Sequence, residues 1–171
     1  DSGAVGVVCP HIDTAEKAAE IARWSRFGHG GRGYAGSSRW AGFATRKMPD
    51  LLAQSQAETV VIAQIEEPEG VAAAQAIAAT DGVDGLFLGP ADLSVGYGKT
   101  DQSSPELMAA FESVGAAAQA AGKAYMTFVP NATAAAELTQ YGLTMIFIAS
   151  EHTWMRNGAS ADATGIHGLG T

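Results

Sequence analysis

The chain has 171 residues, 47% of them hydrophobic, with 18 acidic against 10 basic side chains and a formal charge of −8. That is enough apolar material for one core of ordinary size, and no stretch gathers Lys and Arg into the basic stripe that a phosphate backbone requires, which excludes nucleic acid as a partner. Cys9 is the only cysteine, so no intramolecular disulfide forms, and the absence of a long apolar span or a signal-peptide pattern points to a cytoplasmic protein without a membrane partner.

The sequence opens on Asp1 rather than Met and runs at once into apolar residues, the pattern of a chain whose beginning lies upstream. Its first apolar run, Val5–Cys9, has the length of a buried strand. Asp13, with Glu16 three positions on, marks the start of a helix over Ala15–Trp24, and His29-Gly30-Gly31-Arg32-Gly33 follows as a loop. A second strand is predicted at Thr59–Ile65. Pro68 opens the next helix in its first turn, with Val71–Thr80 as its body. Gly85–Leu88 reads as the third strand, and Ser104 before Pro105 as the cap of a helix over Glu106–Ala121. Gly122 falls where a left-handed residue would end that helix. The fourth strand, Ala124–Val129, leads to a helix over Ala132–Tyr141 that starts at Asn131 and ends at Gly142, and the fifth strand is Thr144–Ala149.

Strict alternation of strand and helix predicts an α/β fold with a parallel sheet. Five such units make either a complete open, doubly wound sheet or part of a (β/α)₈ barrel, which normally needs roughly 250 residues. No G-x-G-x-x-G or G-x-x-x-x-G-K-[ST] pattern opens a helix after a strand, so the nucleotide-binding open folds lack their usual signature.

Two strand ends carry the chemistry. A side-chain period of two puts Ile62, Gln64 and Glu66 on one face, with the polar pair at the C-terminal end where parallel α/β folds bind ligands. The next strand runs into Gly89-Pro90-Ala91-Asp92, read as a tight turn that brings a second carboxylate to the same rim. Two hard oxygen donors suit Mg²⁺ or Mn²⁺ and leave other octahedral positions for water and a chelating substrate. Spacing leaves the alternative open that Glu66 caps the following helix and Asp92 makes a turn hydrogen bond. The same reading treats Glu67 and Glu69 as solvated first-turn acids and expects the Gly-rich loop at Gly30–Gly33 to border the site.

The segment Gln64-Ile65-Glu66, followed by Gly82-Val83-Asp84-Gly85-Leu86-Phe87-Leu88-Gly89-Pro90-Ala91-Asp92-Leu93-Ser94, resembles the HpcH/HpaI aldolase family of metal-dependent pyruvate aldolases. The resemblance extends from Asp1 to about Gly158, and the separation of the two acids, 92 − 66 = 26 positions, also fits it. It implies strands four to eight of a TIM barrel, the chain forming a single domain that is the C-terminal two-thirds of such an enzyme. Glu66 and Asp92 would be its metal ligands for Mg²⁺ or Mn²⁺, with Co²⁺ also tolerated. Gln64 would contact substrate, and Gly89, Pro90 and Ala91, with Asp92, would hold the pyruvate carboxylate. Asp1 matches the acid that raises the basicity of the family's catalytic histidine. That histidine and an arginine belong to earlier strands, and none of His11, His29, His152 or His167 falls at the matching place.

The implied reaction is cleavage, or formation, of a 4-hydroxy-2-oxo acid from pyruvate and an aldehyde through a metal-stabilised enolate. No lysine lies on an interior strand face, in keeping with a metal rather than an imine mechanism. The family also implies a homo-hexamer, a trimer of dimers, whose last helix begins around His152–Asn157 and carries Trp154 into a neighbouring subunit. The tail Gly165–Thr171 is too Gly-rich to continue that helix. Two other functions compete. One is a carbon–carbon lyase acting on a CoA thioester, which would call for basic residues that this acidic chain has few of. The other is a non-catalytic metal-binding or assembly subunit, should these residues be the whole gene product.

Overall fold

The computed structural model describes residues 1–170 and contains one parallel sheet of five strands: β1 (Gly6–Cys9), β2 (Val60–Ile65), β3 (Gly85–Leu88), β4 (Ala124–Val129) and β5 (Met145–Ile148). Their order in the sheet is their order in the chain. A doubly wound sheet reverses direction at a switch point and puts helices on both faces; sequential order, with crossovers of one hand, puts every helix on the same face. The sheet is therefore a barrel segment, five βα units of a partial TIM barrel.

The packing agrees with that topology. Ala63, Ile65, Leu86, Leu88 and Tyr125, from one face of the strands, join Ile77, Leu107, Phe111 and Val114 from the helices in a single buried core. Those helices are α3 (Pro68–Ala78) and α5 (Pro105–Ala120), and Ala18 of α1 (Ala15–Trp24) joins the same core. The opposite face is concave and open. Register places Val8 beside Ile62, Gln64 beside Phe87, and Phe128 beside Phe147 on that face. There Val60, Phe128, Met145 and Phe147 are each more than two-fifths exposed although apolar.

Local chemistry explains most element ends. Ser104 accepts from Leu107 N–H and Asn131 from Ala134 N–H, each filling one of the unpaired donors of a helix start. Gly122 and Gly142 are left-handed, at φ of 65° and 82°, as expected for residues that end a helix before a strand. Thr14, rather than Asp13, caps α1 by accepting from Lys17 N–H; Asp13 instead pairs with the Lys17 ammonium. Two helices went unread in the sequence. The first is α2 (Met48–Glu58), whose cap position Lys47 makes no side-chain bond. The second, α4 (Pro90–Gly96), replaces the expected tight turn. The predicted Ala132–Tyr141 helix is α6 (Ala132–Leu138) plus one 3₁₀ turn.

The last helix, α7 (Glu151–His167), starts at a Ser150 cap and continues through Gly165, further than its glycines suggested. Its two glycines, Gly158 and Gly165, each cost about 1 kcal/mol relative to Ala, and Ala159, Ala161 and Ala163 between them are strong helix formers. None of its residues is buried; Trp154 and Met155 are 60% and 63% exposed. Thr171, the end of the predicted tail, lies outside the described residues. Among those residues no helix is long and apolar enough to cross a membrane.

Candidate functional site

Glu66 follows the last residue of β2 and is 4% exposed, buried at the C-terminal end of the sheet. A buried carboxylate needs donors, and it has two. The backbone N–H of His11 donates to Oε1 at 2.9 Å, and the Gln64 amide donates to Oε2. The predicted pairing of Gln64 and Glu66 on one strand face is thus realised in a direct hydrogen bond.

The neighbouring strand closes in from the other side. Gly89 N–H donates to Ile65 O at 2.9 Å, drawing the chain after β3 against the end of β2. A Cβ at Gly89 would lie 3.0 Å from Glu66 Cβ and 3.1 Å from Oε2, closer than side chains normally approach. Glycine is required here by proximity, since its backbone is in the ordinary extended region. Pro90 then starts α4, with Ala91 and Asp92 exposed in its first turn. Leu93 is the first residue whose N–H reaches a helical carbonyl, that of Gly89, so the amides of Ala91 and Asp92 precede the hydrogen-bonded ladder.

His11 was the residue missed. It follows the end of β1 by two positions, in a left-handed conformation at φ 57°, with its side chain 68% exposed. Its Nδ1 lies 2.8 Å from Glu67 Oε1 and 3.3 Å from Glu66 Oε1. The hydrogen bond to Glu67, and then the charges of Glu66, Glu67 and Asp92, push the imidazole pKa upward, against a smaller opposing effect of desolvation. The sequence offered one signal, a histidine immediately beyond a strand's C-terminal end. Glu67 is correspondingly more than a solvated acid, because Oε1 holds His11 while Oε2 is buried without a hydrogen-bond partner.

The donor chemistry suits a hard divalent cation: a buried carboxylate, a second carboxylate at the start of α4, an amide oxygen on Gln64 and an orphaned carboxylate oxygen on Glu67. Among the described residues, no group of three or more His, Cys, Asp and Glu side chains is placed to hold a metal ion.

The structure places two of the expected elements away from these residues. Asp1 does not join this site. Its carboxylate accepts from Arg32 at 3.1 Å, and it lines a cleft with Gly6 and Thr59 at the N-terminal end of the sheet. The Gly-rich loop is at that same lower end: α1 runs antiparallel to β1, so the chain leaving it emerges there, and Gly28, His29 and Gly31 face Arg23, Arg26 and Gly82. The lower rim is an internal lattice. Arg26 donates to the carbonyls of Ala22, Gly82 and Thr59 and to Asp84, whose carboxylate also accepts from Val61 N–H. Arg32 lies over Phe27, 4.2 Å from the ring centroid, and near Trp40.

Residues 1–158 match the HpcH/HpaI aldolase/citrate lyase family. A hydroxypyruvate/pyruvate aldolase of Delftia acidovorans is 36% identical over 168 residues, which are 95% of this chain and 61% of that protein. A 5-keto-4-deoxy-D-glucarate aldolase of Klebsiella pneumoniae is 35% identical over 153 residues, covering 88% of this chain and 59% of the relative. A crystal structure of a family protein from Burkholderia cenocepacia superimposes with a TM-score of 0.90 at 34% identity, over 96% of this chain and 66% of the other. The chain thus spans about three-fifths of the length of the curated relatives it matches, and it belongs to the HpcH/HpaI aldolase/citrate lyase family.

Proposed function

We propose that this chain forms the metal- and 2-oxo-acid-binding part of a divalent-metal-dependent aldolase that cleaves or forms 4-hydroxy-2-oxo acids, with pyruvate and an aldehyde as the partners. The observation that carries the reading is Glu66, a nearly inaccessible carboxylate at the C-terminal end of the sheet, held by Gln64 and by the His11 amide, with Gly89 packed against it. A buried acid needs compensation, and one held by donors at the ligand-binding end of a parallel sheet is a candidate functional group.

In this reading Glu66 and Asp92 hold Mg²⁺ or Mn²⁺, or Co²⁺ in their place. When bound, the ion supplies Lewis-acid polarisation of the substrate's 2-oxo group. Gln64 orients the 2-oxo acid through its amide, and Gly89, Pro90 and Ala91 form the wall against which the carboxylate end rests. The absence of a side chain at Gly89 leaves room for Glu66 and Gln64 to pack against this turn. Asp1 is left out of this machinery, because it is engaged with Arg32 at the other rim.

The chain then represents five of eight βα units. The apolar concave face, with Val60, Phe128, Met145 and Phe147, becomes interior once the remaining units close the barrel. Those units would bring the proton-transferring groups. The unburied α7, with Trp154 and Met155 outward, supports assembly into a homo-oligomer, a hexamer built of dimers. The acidic chain supports neither a nucleic-acid nor a membrane partner, and we place the protein in the cytoplasm.

The test is pyruvate release from a panel of 4-hydroxy-2-oxo acids by the protein supplied with Mg²⁺ or Mn²⁺, then with EDTA. Metal-dependent release is expected. Release indifferent to the chelator would overturn the reading.

A further inference from the structure

His11 is placed at some energetic cost. A non-glycine residue at φ 57° is strained, and glycine would take that conformation freely. The contact that most obviously needs this loop is the backbone N–H to Glu66 Oε1, which glycine would supply equally well. The imidazole therefore has a use of its own.

The hydrogen bonds around the ring narrow that use. Nδ1 faces the Glu67 carboxylate at 2.8 Å, and a carboxylate accepts, so Nδ1 carries the hydrogen and Nε2 is the nitrogen left to the exposed side. The loop is braced behind: Lys17 Nζ donates to His11 O at 3.3 Å and to Asp13 at 2.7 Å. The ring is thus oriented, 68% exposed, and 3.3 Å from Glu66 Oε1 through its anchored nitrogen. The ring therefore stands beside Glu66 on the exposed side of the site.

Building on the aldolase reading above, we infer that His11 is a specificity-determining residue, whose Nε2 hydrogen-bonds an oxygen substituent on the carbon next to the aldehyde carbonyl. That oxygen belongs either to a hydroxyl, which donates to the bare Nε2 of the neutral ring, or to a carboxylate, which accepts from the Nε2–H of the imidazolium, and three two-carbon aldehydes of similar size separate the cases: glycolaldehyde, glyoxylate and acetaldehyde. Each is added to pyruvate by the Mn²⁺-loaded protein with its remaining βα units present, and kcat/KM is compared between parent, His11→Gly and His11→Asn. His11→Gly keeps the amide to Glu66 and relieves the strain, while Asn tolerates the same backbone and retains an acceptor and a donor on a shorter side chain. Mn²⁺ affinity by calorimetry is read alongside.

The parent favours one of the two oxygenated aldehydes over acetaldehyde, and whichever it favours identifies the oxygen. His11→Gly lowers that preference about tenfold, the worth of one hydrogen bond of ordinary strength, and His11→Asn restores part of it. An unchanged preference, or a parent with none, overturns the inference. So does a loss shared by all three aldehydes in step with weaker Mn²⁺ binding, which would make His11 a positioning residue for Glu66. If the parent adds none of the three to pyruvate yet binds Mn²⁺, the aldolase reading itself falls and takes this inference with it.

Discussion

The two ends of this sheet use the same residue types to opposite effect. At the lower rim Arg26, Asp84, Arg32 and Asp1 direct their polar atoms at the protein itself: Arg26 alone reaches three backbone carbonyls and a carboxylate from separate segments. At the upper rim Glu66, Glu67, Asp92 and His11 crowd acid against acid, one carboxylate oxygen is buried without a partner, and the histidine that pairs with two of them is strained. Satisfied polar groups stabilise, whereas acids crowded together with few donors make a candidate binding site; an unpaired oxygen alone does not separate the rims, since Gln54 Oε1, in a cleft with Arg32 and Thr59, is also buried without a partner. That contrast, more than any single contact, assigns stability to one rim and binding to the other, as the geometry of parallel βα units leads one to expect.

Exchanging one polar residue at each end gives the largest test of that division. Glu66→Gln removes the buried charge but keeps the shape; Mn²⁺ affinity and pyruvate release should each fall about a hundredfold, the upper end for disturbing a metal's immediate surroundings, with little loss of fold. Arg26→Met should do the reverse. With its side chain 17% exposed and its carbonyl partners left unpaired, unfolding in urea should show a loss of about 2 to 3 kcal/mol, while Mn²⁺ affinity of the folded protein stays within threefold. If the two variants exchanged phenotypes, the division between rims would be wrong.

The sequence carried the fold at the level of alternation and little below it. The five strands were legible because each is a short run of β-branched and aliphatic residues between turn signals, and Ser104, Asn131, Gly122 and Gly142 marked helix ends by side-chain chemistry that acts locally. The Met48–Glu58 helix was not legible, since Lys47 offers no cap and only Leu51 and Ser55 face inward. Strand order, which decides between open sheet and barrel, is a long-range property with no local signature. At the site, Gln64 and Glu66 could be read from strand periodicity, and Gly89 to Asp92 from the turn that follows a strand. His11 could not, because its role depends on β1 lying beside β2 in register, 55 positions away along the chain. Asp1 and the Gly-rich loop were misplaced for the converse reason: a loop's distance from a site depends on which end of a strand it serves, and that follows from the direction of α1.

Gly89→Ala sharpens the comparison with a smaller effect. The added methyl meets Glu66 Cβ and Oε2, one a backbone-proximal atom and the other the end of a side chain that cannot retreat, being held by Gln64 and His11. Overpacking of this kind costs about 1 to 2 kcal/mol in urea unfolding, and displacement of the carboxylate should weaken Mn²⁺ binding by about tenfold. An effect on stability without one on metal binding would mean that Glu66 is a structural acid after all.

The smallest effect concerns pH. Asp13 accepts from Lys17 Nζ at 2.7 Å, and that hydrogen bond holds its carboxyl pKa below the ordinary value, with burial pulling weakly the other way. A carboxyl depressed in the folded state favours the fold above its unfolded pKa, and the contribution fades as the pH drops through the depressed value. Lys17→Met should therefore return the Asp13 titration, followed by NMR, to the ordinary carboxylate range. Its melting temperature should lie slightly below the parent's at neutral pH, and the two should converge in acid. Lys17 also donates to His11 O, behind the loop that presents the His11 amide to Glu66. A gap in melting temperature that persisted in acid would show that Lys17 acts through this uncharged carbonyl, making it a support of the upper rim rather than a partner of Asp13 alone.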